Sequence, residues 1–145
     1  MKILLIINDA PYGTEKAYNA LRMAMTIQKE DASAEVRIFL MADAATAALP
    51  NQMTPQGYYN IERMIRSVLM KGGRVRICGS CAEARGIREL PLIEGTEIST
   101  MQELVQWTLD EWLTNESQWD HYQQYFNQMI PEARNRKVIL LDDDS

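Results

Sequence analysis

Ile3-Leu4-Leu5-Ile6-Ile7, followed at once by Asn8-Asp9-Ala10-Pro11-Tyr12-Gly13, decides the fold. An aliphatic run without alternation reads as a strand buried on both faces, the pattern of a parallel sheet covered by helices on either side. Pro11 and Gly13 break the run. Beyond them Thr14 can cap a helix with Glu15 in its first turn, and Ala17, Leu21, Ala24 and Ile27 or Gln28 mark one face of it. Strand, loop and helix in that order open an α/β chain.

The pattern continues outward. Residues 36–41, apolar except for Arg37, form a second strand candidate, and Asp43 reads as the N-cap of a short alanine-rich helix reaching Leu49. Residues 50–57 carry two prolines and form a loop. Ile61, Met64, Ile65, Val68 and Leu69 have helical spacing, and Gly72 suits the left-handed residue that ends such a helix. Residues 74–77 alternate charged and aliphatic, so one face or edge of that strand is expected to meet solvent or a partner chain. Residues 97–99 suit a short strand. Thr100 and Glu103 then form a capping box, with Met101, Leu104, Val105, Thr108, Leu109 and Trp112 as the expected buried stripe. In the stretch 114–136, Trp119, Tyr122, Phe126, Met129 and Ile130 recur at helical spacing until Pro131. A helix over about 119–130 is expected there, packed on the domain or across a subunit boundary. Residues 138–141 read as the last strand, before an acidic tail. The expected architecture is a three-layer α/β/α sandwich with a mainly parallel sheet of about five strands. It forms one domain over residues 1–145, with a helical insertion at about 114–136.

A chain of 145 residues is long enough to bury a core without staples. Its formal charge is −5 and its pI near 4.9. No lysine or arginine cluster interleaves with aromatics, so direct binding to nucleic acid is not expected. The apolar run at residues 3–7 is short for a signal core and far too short to span a membrane. A soluble cytoplasmic protein without membrane association is expected.

Both cysteines lie in Arg74-Val75-Arg76-Ile77-Cys78-Gly79-Ser80-Cys81-Ala82-Glu83-Ala84-Arg85-Gly86. Gly79 and Ser80 suit a turn and residues 81–85 a short helix, which puts Cys78 at a strand end and Cys81 near a helix N-terminus, where a thiolate is favoured. A disulfide across so small a loop would not staple the fold, so the pair reads as chemistry. Zinc is poorly supported, because His121 and scattered carboxylates are the only other ligand types, and His121 suits a helix residue better than a ligand. Three readings stay open: a redox dithiol, two small residues filling a corner, and a sulfur-handling nucleophile. Arg85 and Arg88, four and seven residues after Cys81, share its helical face and can stabilise a thiolate or persulfide by charge. Asp9 ends the first strand at the edge where ligands of such sheets bind, yet it also suits a turn. The loop before the first helix lacks the spaced glycines of a dinucleotide or phosphate loop, and no cofactor is expected.

Ala10-Pro11-Tyr12-Gly13, Leu21-Arg22-Met23-Ala24, Phe39-Leu40-Met41-Ala42-Asp43-Ala44, Gly57-Tyr58-Tyr59-Asn60-Ile61, the Cys78 and Cys81 pair with Arg85-Gly86-Ile87, Leu90-Pro91-Leu92-Ile93-Glu94-Gly95 and Gln106-Trp107-Thr108-Leu109 together resemble the DsrE/DsrF-like proteins, closest to their YchN-like branch. The likeness runs over most of residues 1–113 and resumes near 137–141. It implies a trimer or hexamer in a family whose members carry persulfide sulfur on a cysteine in relays. Cys78 falls on that sulfur-carrying position, and Cys81 on the second cysteine of the YchN-like branch. The function so implied is a sulfur carrier or sulfurtransferase, served by sulfur-donor and sulfur-acceptor proteins, with Cys78, Cys81 and Arg85 as its site. The alternative is a non-catalytic oligomeric interaction module with structural or redox-sensing cysteines. The alternating strand at 74–77 leaves a face without an obvious helix over it, which with the resemblance points to a homo-oligomer.

Overall fold

The computed structural model describes residues 1–113 and 138–141. The helix expected over 119–130, His121 and the acidic tail lie outside these residues. Strands β1 (Lys2–Ile7), β2 (Glu35–Leu40), β3 (Arg74–Cys78), β4 (Thr96–Ser99) and β5 (Val138–Leu141) form one sheet in the order β4-β3-β2-β1-β5. Every pairing is parallel. The helices are α1 (Lys16–Glu30), α2 (Ile61–Met70), α3 (Gly79–Ala84) and α4 (Met101–Leu113), with a 3-10 helix at Ala42–Ala48. The α/β/α sandwich is as expected. No described helix is long and apolar enough to cross a membrane.

Alternation along the strands divides the core in two. Ile3, Leu5 and Ile7 of β1, Val36, Ile38 and Leu40 of β2, and Val75 and Ile77 of β3 face α1, α2, α3 and the 3-10 helix. Leu4, Ile6, Phe39 and Cys78 face the other way, against Leu104 and Trp107 of α4. β1 lies between β2 and β5, so both its faces and both its edges are covered, which is why its run is unbroken.

The α4 face differs from expectation. The helix buries Leu104 and Trp107, while Met101, Val105 and Leu109 of the expected stripe are 58%, 46% and 46% exposed. The helix is turned because of what the sheet offers it. On this face β2 and β3 present Arg37, Arg74 and Arg76, whose guanidinium carbons lie 5.4, 5.6 and 4.2 Å from the centre of the Trp107 ring. A flat indole face is attracted to such cations, whereas an aliphatic side chain would only desolvate them. The alternating strand β3 is therefore covered in part by α4, and it is an interior strand rather than an edge. Arg74 is the member of the trio that stays exposed.

Helix starts also depart from the sequence reading. α1 begins at Lys16 with Glu15 at the cap position and no side-chain cap bond, and the Thr14 hydroxyl donates to Asp9 at 3.2 Å. Asn60 caps α2 by accepting from the Arg63 N–H at 3.0 Å. At the other end of α2 the chain turns through Gly72, φ +86°, as expected, and then passes Gly73. A Cβ on Gly73 would stand 2.5 Å from Val68 Cγ1 and 2.7 Å from the Val68 carbonyl oxygen. The oxygen belongs to the helix backbone and cannot swing away. Gly73→Ala is therefore expected to cost about 1–3 kcal/mol, the usual range for overpacking, as a drop in the denaturation midpoint with unchanged slope. A variant as stable as the parent would show that β3 can shift away from α2.

Candidate functional site

Cys78 is the last residue of β3 and the N-cap of α3. Its sulfur accepts from the Cys81 backbone N–H at 3.3 Å, and the Ser80 hydroxyl stands 3.3 Å from it. The two cysteine sulfurs are joined as a disulfide, with the Cα atoms 5.2 Å apart, inside the normal span for such a bridge. Cys78 is 8% exposed, and it lies among Leu4, Ile6, Phe39, Leu104 and Trp107. Cys81 is half-buried and packs against both cores.

The turn expected at Gly79 and Ser80 is instead the first turn of α3, which begins two residues earlier than the sequence suggested. Cys78 supplies the capping atom, a role usually filled by a serine or aspartate oxygen. Cys81 thus sits inside the helix and donates its N–H to Cys78, so the donors converge on Cys78 and not on Cys81. Space is tight at Gly79. A Cβ there would meet the Ser99 carbonyl oxygen at 3.0 Å, Ile98 Cγ2 at 3.2 Å and Arg88 Nη1 at 3.4 Å. Ser99 is the β4 residue in register with Cys78. It is buried and donates a hydrogen bond to the Glu103 carboxylate. That bond first, and then the charge of Arg76, holds Glu103 below the usual carboxylate range.

Arg85 does not reach the sulfurs. Its Nε and Nη2 donate to Asp43 at 3.0 and 2.8 Å, and its Nη1 to the Cys81 carbonyl at 3.0 Å. The guanidinium ties the end of α3 to the 3-10 helix. Asp43, expected as an N-cap, lies inside that 3-10 helix, which Met41 precedes as cap, and its carboxylate is taken by Arg85. Arg88 leaves the expected face because Gly86, φ +69°, ends the helix before it, and its Nη1 donates to Glu83 at 3.4 Å. Asp9 serves the turn, accepting from Thr14 and pairing with Lys16 at 3.4 Å.

A model of the DsrE/DsrF-like family matches residues 1–114. The chain belongs to the DsrE/DsrF-like family. Protein YchN of Escherichia coli is 44% identical over 108 residues, covering 74% of this chain and 92% of that protein. The uncharacterized protein MJ0989 of Methanocaldococcus jannaschii is 40% identical over 105 residues, 72% of this chain and 90% of its own. A crystal structure of the ychN protein of E. coli superposes with a TM-score of 0.71 at 43% identity, covering 75% of this chain and 93% of that one. This DsrE/DsrF-like chain continues beyond the matched part, which ends at residue 114 of 145.

Within the DsrE/DsrF-like domain the sequence reading missed Ser80, Ser99 and Trp107 as neighbours of the cysteines. Glu103 was legible only as half of a capping box. Thr100 Oγ1 accepts from the Glu103 N–H at 3.2 Å, and the carboxylate turns to the Ser99 hydroxyl as well as back to the Thr100 N–H. Ser99 stands four residues before Glu103, at the end of β4, so the bond joins the strand to the first turn of α4. Among the described residues no group of three or more His, Cys, Asp or Glu could hold a metal ion.

Proposed function

We propose that this protein is a cytoplasmic sulfur carrier, or a sulfurtransferase-like protein, in which Cys78 accepts sulfane sulfur as a persulfide. The supporting observation is the sulfur of Cys78, placed at a strand end with two donors beside it and Cys81 within disulfide reach. Donors aimed at a sulfur favour its anion, the nucleophilic form. The thiolate attacks the outer sulfur of a donor, and the donor's S–S bond breaks with its electron pair leaving on the departing thiolate. An acceptor thiolate then attacks the outer sulfur of the Cys78 persulfide, and Cys78 departs as thiolate. If Cys81 attacks Sγ of Cys78 instead, hydrosulfide leaves and the Cys78–Cys81 disulfide forms. Arg85 serves this scheme by holding the α3 carbonyl end, not by charge at the sulfur.

Incubation of the reduced protein with a persulfide donor is expected to add the mass of one sulfur atom to the peptide carrying Cys78. No gain on either cysteine removes the proposal.

The same scheme includes donor and acceptor proteins and assembly as a trimer or hexamer. Met101, Val105 and Leu109 support the assembly: they recur every fourth residue along one exposed line of α4. Sedimentation at micromolar concentration is expected to show a species heavier than 16.6 kDa, and a monomer alone would exclude the assembly.

A further inference from the structure

The Cys78 side chain is buried in a cluster with Leu4, Ile6, Phe39, Leu104 and Trp107. Two polar groups stand within hydrogen-bond distance of the sulfur, the Cys81 N–H and the Ser80 hydroxyl, each at 3.3 Å. In the disulfide, Cys78 Sγ carries no proton, so Ser80 is the donor. The charged groups around the site are engaged elsewhere: Arg85 by Asp43 and the Cys81 carbonyl, Arg88 by Glu83, Arg76 by Glu97 and the Trp107 ring, and Glu103 by Ser99. In a setting of low polarity each remaining donor weighs more on an anion than it would in water. Ser80 is exposed, and its hydroxyl is hydrogen-bonded to the Cys78 sulfur.

We propose that Ser80 is a positioning residue that holds the Cys78 sulfur as a thiolate, and thereby sets the poise of a reversible Cys78–Cys81 dithiol–disulfide couple. This redox activity is separate from sulfur carriage. Oxidation removes two protons and two electrons from the pair and joins Sγ to Sγ. A disulfide oxidant of the glutathione class takes the electrons and becomes two thiols. In reduction, a thiol attacks Cys81 Sγ, Cys78 leaves as thiolate into the bonds from Ser80 and the Cys81 N–H, and a second thiol releases Cys81 from the mixed disulfide. Those bonds stabilise the reduced anion more than the neutral disulfide sulfur, so they make the disulfide easier to reduce.

Two measurements on the full chain test this. The first is the rate of iodoacetamide alkylation of Cys78 against pH in a Cys81→Ser background, and the second is the thiol–disulfide equilibrium of the two-cysteine protein in glutathione buffers. Ser80→Ala is expected to move the alkylation midpoint to higher pH and to raise the equilibrium constant for disulfide formation about three- to tenfold, while Ser80→Thr restores both. An unmoved midpoint overturns the positioning role. A protein that forms no intramolecular disulfide in glutathione disulfide overturns the couple. Neither measurement uses a sulfur donor, so the couple and persulfide carriage stand or fail separately.

Discussion

A Cys78→Ser protein exposed to a persulfide donor is expected to gain no sulfur at position 78, a loss on the order of a thousandfold or more in loading rate. A hydroxyl is almost wholly protonated near neutral pH and is a far poorer nucleophile than a thiolate. The substitution separates chemistry from folding unusually well. Cys78 caps α3 through its side chain, and serine is among the residues best suited to that position, so the helix start survives. Thermal stability matching that of the reduced parent beside absent loading is the expected pair of results. Cys81→Ser is expected to load and to keep its persulfide longer, because the neighbouring thiol that would displace hydrosulfide is gone. Helix-end electrostatics read from sequence alone left the choice between the two thiols narrow. The observed donors favour Cys78. Loading of the Cys78→Ser protein beside an unloaded Cys81→Ser protein would reverse the assignment.

Trp107→Ala is expected to be the most destabilising single change on the α4 side, at about 3–5 kcal/mol. The indole is 3% exposed, meets Phe39 edge-on with ring centres 6.3 Å apart, and lies under the guanidinium groups of Arg37, Arg74 and Arg76. Its removal opens a cavity and leaves Arg37, itself 8% exposed, without its aromatic neighbour. Leu109→Ala, on the exposed line of the same helix, is expected to change stability by no more than about 0.5 kcal/mol at low protein concentration. The comparison by chemical denaturation tests the rotational setting of α4 directly. A larger cost at Leu109 than at Trp107 would mean the helix faces the sheet with the stripe first read from its spacing. A Leu109 cost that grows with protein concentration would instead report assembly through that line.

Several features follow from local sequence alone. The unbroken run from Ile3 to Ile7 specified an interior parallel strand, because only a strand covered on both faces can be aliphatic at every position. Ala17, Leu21 and Ala24, with Ile27 or Gln28, were placed on the buried face of α1, where the structure has both Ile27 and Gln28, since a helix with one apolar side leaves no choice of orientation. Gly72 was legible for the same kind of reason, as the residue type that takes a left-handed conformation at no steric cost. The three-layer α/β/α order followed from these periods.

What the tertiary structure decided lies where local patterns are degenerate or partners are distant. α4 is apolar on more than one side, so its spacing allowed two stripes. The choice fell to the arginines that β2 and β3 present to it. Asp43 and Arg85, 42 positions apart, meet only because the 3-10 helix and α3 pack side by side at the same edge of the sheet. An aspartate before an alanine run then ceases to be a cap, because a guanidinium two-pronged on its carboxylate outweighs a single backbone N–H. The same holds at the cysteines. Their spacing is written in the sequence, but which sulfur receives the hydrogen bonds depended on where α3 begins. At that point the Ser99 carbonyl of β4 comes close to Gly79 in the first turn of α3, a tertiary contact that no local pattern encodes.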